Sequence, residues 1–259
     1  MPQYFPEGSL VGFTDWLNVI TESNGVICIS KTVSNDLRDW VNVNQSNNHK
    51  NFTVDWTHLG SDISNSIPTS GFPANSEIVL KKLKEKSSFL VVGTLEPRKG
   101  HAQVLKEFEK LWKNSVDINL VIVGKEGWKI SDLIHKIEKH PELNKRLFWL
   151  NNATDEYLDK IYESSRCLIA GSYGEGFGLP IVEAAERGLS VIARDIPIFR
   201  EVAGDYAIYF GKDNMPRLSD VIKKYLDSYK LSGTTKKKIK TMSWYQSAQK
   251  ILQFLVAKN

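Results

Sequence analysis

The chain has 259 residues, of which 41% are hydrophobic and 25% are charged, values that are ordinary for a globular protein with a substantial core. Its formal net charge of +4 is mild, and nucleic acid is not an expected partner because basic and aromatic residues do not alternate along any segment. No segment resembles a signal peptide and no apolar run approaches the ~20 residues of a membrane span, which predicts a cytoplasmic protein, at most peripheral on the inner face of the cell membrane.

The first 60 residues contain too few strands for an independent domain. Residues 9–23 have the apolar spacing of an amphipathic helix, with one side formed by Leu10, Phe13, Trp16, Leu17 and Ile20. Strand-like runs follow at residues 25–30 and 51–56, with a helix at 33–41 between them. Because two strands do not make an independent sheet, we predict that residues 1–60 are the end of a domain whose beginning is absent.

Strands and helices alternate through most of the remaining chain. Residues 61–76, rich in Ser, Asn, Pro and Gly, are the predicted linker to a domain over residues 77–241. The predicted strands are 89–92, 120–123, 146–150, 167–170, 190–193 and an edge strand 207–210, and the helices are 101–112, 130–139, 155–164, 181–187 and 215–229. This order predicts an α/β fold with a Rossmann-like parallel sheet and helices on both faces, which binds ligands at the carboxyl ends of its strands.

The last predicted helix covers residues 243–256 and lies in a C-terminal segment of residues 242–259. It opens on a capping box that begins at Ser243. Its apolar residues are predicted to be buried, namely Ile251, Leu252 and Leu255.

The two cysteines and one basic run have simple interpretations. Cys28 and Cys167 each lie in an apolar strand-like run, so buried free thiols in a reducing compartment explain them better than a disulfide or a metal site. The run Lys236–Lys238 is interpreted as a solvated turn, with contact to an anionic membrane as the alternative.

A glycine-rich loop joins the strand at 167–170 to the helix that follows it. Gly174, Gly176 and Gly178 let the backbone approach a ligand closely and adopt positive φ. The first amides of the helix are unpaired and the helix dipole favours negative charge there. The loop therefore predicts a phosphate site.

Two carboxylates, Glu175 and Glu183, bracket this loop. Carboxylates repel phosphate, so we expect them to address another part of the ligand, and hydroxyls are the neutral groups that best suit an ionised acceptor. A phosphorylated ligand rich in hydroxyls is a sugar nucleotide. The alternative for each part alone is a tight turn and an acid stabilised near a helix N-terminus.

Two motifs resemble those of a known family. Residues 175–184 (EGFGLPIVEA) are similar to the E-x7-E signature of the family 4 retaining glycosyltransferases, which have the GT-B fold of two facing Rossmann-like domains. Residues 92–100 (VGTLEPRKG) resemble the phosphate-arm motif of that family, and residues 195–204 (DIPIFREVAG) also fit. The resemblance extends from about Val26 to Leu255.

The resemblance implies a role for each motif residue. Glu175 would bind hydroxyls of the transferred sugar and Glu183 those of the ribose, while Lys99 and Arg98 would hold the diphosphate as its charge grows. Gly93 and Thr94 would also contact the donor, although many relatives have Arg in place of Thr94. The remaining donor-binding candidates are Gly176, Phe177, Gly178 and Leu179. No metal ion or other cofactor is expected, because the sequence offers no Asp-x-Asp motif or histidine cluster to hold one.

The resemblance also implies how the chain is divided. Ile29-Ser30 and His58-Leu59-Gly60 match the last part of the N-terminal, acceptor-side domain in that family, and the last helix matches one that crosses back onto it. A full-length member would have on the order of a hundred more residues ahead of Met1. The chain would then bind donor but transfer poorly.

The implied activity is transfer of a hexose, with retention, from a GDP- or UDP-linked sugar to a saccharide or lipid-linked acceptor. The sequence that begins at Thr94 (TLEPRK) resembles mannosyl- or rhamnosyltransferases of bacterial surface polysaccharides most. The alternative is a non-catalytic subunit that binds a sugar nucleotide or serves as a scaffold. An epimerase of the same fold is disfavoured, because the match is to the transferase motifs.

Several other polar and aromatic residues have structural interpretations. Surface or capping roles are predicted for the histidines on or near helices, His101, His135 and His140. Glu201 matches a family position, and its simplest role is structural. Tyr173 and Phe177 are expected to pack the glycine turn.

Overall fold

The computed structural model describes residues 2–44, 52–62, 71–211, 214–232 and 239–256. The basic run at Lys236–Lys238 and half of the predicted linker, residues 63–70, lie outside these residues. The described residues form two parallel sheets, one of two strands and one of six, with helices packed on both faces of the larger sheet. The predicted fold class is confirmed.

The strands are short apolar runs. The small sheet contains β1 (Gly25–Cys28) and β2 (Thr53–Trp56), and the large sheet contains β3 (Ser87–Val92), β4 (Ile118–Val123), β5 (Leu147–Leu150), β6 (Cys167–Ala170), β7 (Ser190–Arg194) and β8 (Ala207–Phe210). The order across the large sheet is β5-β4-β3-β6-β7-β8, and every neighbouring pair is parallel. The predicted edge position of β8 is confirmed. Because β3 and β6 are neighbours, the loops that follow them meet at one edge of the sheet.

The described helices include two that the sequence analysis did not predict. They are α1 (Ser9–Thr21), α2 (Lys31–Asn44), α3 (Ser76–Glu85), α4 (His101–Lys113), α5 (Ser131–Glu138), α6 (Asp155–Glu163), α7 (Leu179–Glu186), α8 (Pro197–Ala203), α9 (Leu218–Ser232) and α10 (Trp244–Val256). The unpredicted helices are α3, which begins at the last residue of the predicted linker, and α8, which has only seven residues. Thr154 caps α6, and its hydroxyl accepts a hydrogen bond from the Tyr157 amide at 3.2 Å.

The large sheet has an apolar core on each face. Alternate residues of each strand point to opposite faces, so Leu90 and Leu168 pack against one layer while Phe89 and Ile169 pack against the other. The first layer is formed by α3, α6, α7 and α8, and the second by α4, α5 and α9. Both free cysteines are buried, as predicted. Burial on both faces holds the sheet rigid beneath the loops at its carboxyl edge.

The small sheet and its helices have a minor core of their own. Leu17, Cys28 and Leu37 are its buried members. The predicted capping box of α10 is present, since the Ser243 amide donates to Gln246 Oε1 at 2.9 Å and the Gln246 amide donates to Ser243 Oγ at 3.1 Å.

The prediction that the apolar residues of α10 are buried is wrong. Ile251, Leu252 and Leu255 are 38%, 59% and 54% exposed. The helix docks through Ser247, which is buried and donates to the His58 carbonyl at 2.8 Å. Its apolar side therefore faces away from the described residues.

Candidate functional site

The two motifs meet at the carboxyl edge of the large sheet. The loop after β3 contains residues 93–100, and the loop after β6 contains residues 171–178. The Tyr173 amide donates to the Arg98 carbonyl at 2.8 Å. A Cβ added at Gly100, where φ is +75°, would lie 2.3 Å from the Gly171 carbonyl oxygen. The backbones of the two loops are therefore in direct contact, and glycine is required at that contact.

An ion-pair cluster forms where the loops touch. Lys99 Nζ lies 2.6 Å from Glu175 Oε1, and Arg98 Nη1 lies 3.1 Å from Glu175 Oε2. Ser172 Oγ donates to Glu175 Oε1 at 2.7 Å. The side chains of Lys99 and Glu175 are 18% and 12% exposed, so water screens the pair less than it would a surface pair. The sequence-predicted Arg98, Lys99 and Glu175 are thus brought together.

Arg98 has partners besides Glu175. Its Nε lies 3.0 Å from Glu96 Oε2, and its Nη1 donates to the Gly174 carbonyl at 3.2 Å. Two cations and two carboxylates therefore share the cluster. A diphosphate that binds here has to draw Lys99 and Arg98 away from carboxylates that already hold them.

Glu175 is ionised in this setting. Burial alone would raise the pKa of its carboxyl group, but the Lys99 charge, the hydrogen bonds from Lys99 and Ser172 and the Arg98 charge together hold the pKa below its usual value. An ionised carboxylate only accepts hydrogen bonds. Its free lone pairs are suited to hydroxyl donors.

Helix α7 begins immediately after the glycine loop. Gly178 has φ +100° and precedes the first helical residue, Leu179, and Pro180 occupies the first turn. A Cβ at Gly178 would approach a carbon of the Phe199 ring to 3.0 Å. Pro180 has no N–H, and the Ile181 amide donates to the Gly178 carbonyl at 2.9 Å. The donors at the start of α7 are therefore the amides of Gly178 and Leu179, and Gly178 lines the same cavity as Lys99 and Glu175.

Glu183 lies further along α7 and has a defined partner. Tyr162 Oη donates to Glu183 Oε2 at 2.7 Å. Burial raises the pKa of the Glu183 carboxyl group, while the Tyr162 hydrogen bond and the nearby Arg187 charge partly oppose that effect. The same burial and the Glu183 charge raise the pKa of Tyr162 well above its usual value, so Tyr162 remains a hydrogen-bond donor.

Gly93 and Thr94 occupy the beginning of the β3 loop. The Gly93 amide donates to the Val123 carbonyl at 2.9 Å and so extends the strand pairing. A Cβ at Gly93 would lie 3.7 Å from Lys99 Cε, which places the Lys99 side chain over this glycine. Thr94 is exposed.

Residues from the first 60 of the chain, which include Ser30 and His58, form an outer wall around the glycine loop. Ser30 Oγ donates to the Gly176 carbonyl at 2.8 Å, and a Cβ at Gly176 would lie 2.8 Å from Ile29 Cδ1. The Phe177 ring is buried and its centroid lies 5.1 Å from that of His58. Phe177 therefore packs the turn, as expected. The contacts of Ser30 and His58 with the glycine loop were not predictable from sequence, because more than 100 residues separate these side chains from the loop.

Glu201 holds this wall against the large sheet. Its carboxylate accepts hydrogen bonds from the Lys31 amide at 2.8 Å and from the Thr32 amide at 2.7 Å, the first two residues of α2. The Thr32 hydroxyl donates to the same carboxylate at 2.6 Å, and His58 Nε2 lies 2.7 Å from it. Glu201 therefore caps α2 from another part of the chain, and this capping is its structural role.

Replacement of Glu201 by Ala is expected to reduce stability by about 2 kcal/mol, because two helix N-terminal amides and His58 lose their acceptor. Hydrogen bonds from Thr32, His58 and Lys31 hold the pKa of Glu201 below its usual value although burial alone would raise it. Its stabilisation is therefore present at neutral pH and is lost as the pH falls through that lowered pKa. Urea denaturation at neutral and acidic pH measures both effects.

The matched control is Glu163→Ala, which removes a half-exposed ion pair with Lys160. We expect the control to change stability by less than about 0.5 kcal/mol. An equal loss in the two variants would contradict the capping role of Glu201.

Residues 2–5 form an aromatic strap across this edge of the sheet. The Tyr4 ring stacks on Tyr173 with centroids 5.2 Å apart, and Phe5 stacks on Trp128 at 6.2 Å. Trp128 Nε1 donates to the Tyr4 carbonyl at 3.0 Å. Arg194 lies 3.9 Å from the centroid of Tyr173. Tyr173 is thus used in packing, as expected, and the strap passes from the β4 loop to the β6 loop.

The predicted surface or capping role of His101 is wrong. His101 is the first residue of α4 and is only 1% exposed, because the touching loops after β3 and β6 cover it. The hydropathy of a short helix start gave no signal of this burial. His101 lines a small cavity together with Lys99, Ser172 and Glu175.

Neither a metal-binding group of side chains nor a membrane-spanning helix is present among the described residues. No group of three or more His, Cys, Asp or Glu side chains among them could hold a metal ion. Across the same residues, every helix is too short or too polar to cross a membrane.

Comparison with known proteins assigns the family. The profile of the family described as glycosyl transferases group 1 matches residues 75–242. A serotype-specific mannosyltransferase, WbdA, from Escherichia coli is 42% identical over 258 residues, which cover 98% of this chain and 32% of that protein. The O-antigen chain mannosyltransferase RfbU from Salmonella typhimurium is 26% identical over 225 residues, which cover 86% of this chain and 57% of that protein.

Solved structures share the fold at low sequence identity. Anabaena Alr3699/HepE in complex with UDP and glucose has a TM-score of 0.71 and 16% identity, and the match covers 99% of this chain and 68% of that one. Sucrose-phosphate synthase from Thermosynechococcus elongatus has a TM-score of 0.69 and 21% identity, with 94% and 62% covered.

The parallel sheets shared with these structures define the GT-B class of glycosyltransferase fold. The chain belongs to the family of glycosyl transferases group 1. It spans about a third of the length of the WbdA proteins that it matches, at 32%. The activity of a whole protein is accordingly a proposal for this chain.

Proposed function

We propose that this chain is the donor-binding part of a retaining hexosyltransferase of family 4. It binds a nucleotide diphosphate sugar and serves transfer of the hexose to a saccharide or lipid-linked acceptor in bacterial surface polysaccharide synthesis. The observation that carries the proposal is the contact of Lys99 and Arg98 with Glu175 at the carboxyl edge of the sheet, beside the start of α7. We further propose that residues 1–60 are the end of an acceptor-side domain, that residues 61–76 are a linker, and that residues 77–241 bind the donor. Residues 242–259 then form the C-terminal segment.

The cluster suits departure of a nucleoside diphosphate. Negative charge grows on the diphosphate as the glycosidic bond breaks, and fixed cations and amides stabilise that charge. Lys99 and Arg98 supply the cations, and the amides of Gly178 and Leu179 at the start of α7 supply hydrogen-bond donors. We propose that these groups replace a metal ion, so that transfer continues in the presence of EDTA.

The carboxylates suit the hydroxyl groups of the donor. Glu175 is ionised and held in place by Lys99 and Ser172, so it can accept hydrogen bonds from the hexose. Glu183 would accept from the ribose hydroxyls, with Tyr162 fixing its carboxylate. Retention is proposed on the resemblance to the E-x7-E motif.

The relatives favour mannose as the transferred sugar. Both WbdA and RfbU are named as mannosyltransferases, and RfbU acts on an O-antigen chain by its name. We therefore propose GDP-mannose as the donor, with UDP-linked hexoses as the second choice. The proposed peripheral contact with the membrane would place the chain near a lipid-linked acceptor.

Isothermal titration of the chain with GDP-mannose, GDP, UDP-glucose and UDP tests this proposal. We expect saturable binding of GDP-mannose and GDP with dissociation constants below a millimolar, and weaker binding of the uridine ligands. Absence of binding by all four ligands at millimolar concentration would overturn the proposal. Donor binding by a full-length protein that has no transfer activity would instead favour the non-catalytic alternative.

Nucleotide sugar affinity should depend on the ionisation of Glu183. Because burial raises the pKa of this group above its ordinary value of 4.5, we expect GDP-mannose affinity to increase as the pH rises from that value towards neutrality. The replacement Tyr162→Phe removes a hydrogen bond that favours the ionised form, so it should raise the pKa further and weaken binding at neutral pH about threefold to tenfold.

GDP-mannose is the suitable ligand because its diphosphate carries no terminal phosphate that titrates in this range. Tyr245→Phe is the control, since Tyr245 is exposed and lies on α10. Affinity that is unchanged by pH and by Tyr162→Phe would contradict the assignment of Glu183 to the ribose.

A further inference from the structure

His101 is a buried polar residue beside the donor site for which the proposed reaction has no use. His101 is 1% exposed, and the Gly93 backbone is near enough to accept a weak hydrogen bond from one imidazole nitrogen. The other nitrogen has no hydrogen-bond partner among the described residues. Buried polar atoms in folded proteins nearly always have a partner, either in the protein or in something bound to it. The unpaired nitrogen of His101 therefore indicates that a group binds beside it.

The cavity that His101 lines defines the size of that group. Its volume is about 20 Å³, and Lys99, Ser172 and Glu175 share its walls. Roughly 10–15 Å³ is enough for one water-sized group. The cavity therefore admits a single oxygen atom with its hydrogen and has no room for a ring. Apolar side chains that include Ile169 complete the lining.

The charge of His101 narrows the chemistry. Burial and the Lys99 charge lower the pKa of His101 to about 4, while the Glu175 charge and the hydrogen bond to the Gly93 backbone partly oppose that shift. The imidazole is therefore neutral at physiological pH, with one nitrogen that donates and one that accepts. A neutral donor–acceptor group matches a hydroxyl, whereas phosphate oxygens are better matched by the Lys99 ammonium.

We propose that His101 determines donor specificity by hydrogen bonding the hydroxyl of the transferred hexose that enters this cavity. The inference rests on the proposed function, because it takes the hexose to lie against Glu175. Lys99 then binds the diphosphate, Glu175 binds hydroxyls near the mouth, and His101 binds the deepest one. Substrate binding fills the cavity and gives His101 its missing partner.

Comparison of GDP-mannose with GDP separates this role from a structural one. In His101→Leu we expect the affinity for GDP-mannose to fall about tenfold while the affinity for GDP changes less than about twofold. His101→Asn keeps a polar group at the start of α4 and serves as a second variant in case His101→Leu disturbs the fold. We expect it to lose less GDP-mannose affinity than His101→Leu does. His135→Leu, at an exposed position of α5, should leave both affinities unchanged.

A series of GDP-deoxymannoses identifies the hydroxyl. The unaltered chain should bind one analogue about tenfold more weakly than GDP-mannose, and His101→Leu should cause no further loss with that analogue. Equal losses of GDP and GDP-mannose affinity in both His101 variants, or no loss of either, would overturn the assignment of His101. If the unaltered chain binds none of the nucleotide sugars, the proposed function fails, and the role of His101 falls with it.

Discussion

Replacement of Glu175 by Gln is expected to change the affinities for GDP and GDP-mannose in opposite directions. In the structure, Glu175 neutralises Lys99 at 2.6 Å and Arg98 at 3.1 Å. Gln has nearly the same shape without the charge, so Lys99 becomes available to the diphosphate while Arg98 keeps Glu96 as a carboxylate partner. We expect GDP to bind about threefold to tenfold more tightly, since each tenfold step corresponds to about 1.4 kcal/mol.

The same replacement should weaken the interaction with the sugar. The neutral amide accepts hydroxyl hydrogen bonds less strongly than the carboxylate and holds Lys99 less firmly. GDP-mannose should therefore bind more weakly. Its slow hydrolysis, in which water accepts the mannosyl group and GDP leaves, should become about 100-fold slower or more. Titration with both ligands and an assay of GDP release measure the two effects on one variant.

Glu142→Gln is the control for this experiment. Glu142 forms an ion pair with Arg146 at 2.8 Å outside the carboxyl-edge loops, so its loss should leave both affinities unchanged. If Glu175→Gln weakened GDP and GDP-mannose equally, Glu175 would serve only to order the loop. That outcome would contradict the proposal that Lys99 and Arg98 exchange Glu175 for the diphosphate.

Replacement of Gly100 by Ala is expected to cause the largest loss of stability. Gly100 has φ +75°, and an added Cβ would lie 2.3 Å from the Gly171 carbonyl oxygen, which is backbone and cannot rotate away. Strain in the left-handed region adds about 1 kcal/mol to the cost of this overlap. We expect a total loss of about 3 kcal/mol or more, together with separation of the loops that carry Lys99 and Glu175 and a loss of GDP-mannose affinity.

Gly8→Ala separates backbone strain from the overlap. Gly8 has φ +81°, and no atom lies within 4 Å of an added Cβ. This variant should lose only about 1 kcal/mol and should bind GDP-mannose normally. Urea denaturation and titration of both variants give the comparison, and similar losses in the two would show that the contact of the loops contributes little.

The sequence was sufficient to predict the edge of the sheet where the site lies. Apolar runs such as residues 167–170 alternate with helical segments, and this pattern determines a parallel sheet. Loops at the carboxyl ends of such strands share one edge, so Lys99 and Glu175 could be expected to lie near each other. Their direct contact at 2.6 Å needed the structure, because it depends on β3 and β6 being neighbours.

The features that the sequence did not predict depend on packing between distant parts of the chain. Glu201 caps α2 although 170 residues separate it from Lys31, and no local pattern encodes that partnership. His101 is polar and begins a helix, which by itself favours exposure, yet the loops above it bury the ring. The apolar pattern of α10 indicated a buried face, but the helix packs through Ser247 instead.

The position of the diphosphate is the central claim, and a crystal structure of the chain with GDP-mannose tests it most directly. We predict phosphate oxygens within hydrogen-bond distance of Lys99 Nζ and of the amides of Gly178 and Leu179. The mannose ring should lie against Glu175, with one of its hydroxyls hydrogen-bonded to His101. A cavity of about 350 Å³ lies at the opposite edge of the sheet, where Arg166 and Arg187 line it. Nucleotide bound there, with Lys99 still paired to Glu175, would contradict the account.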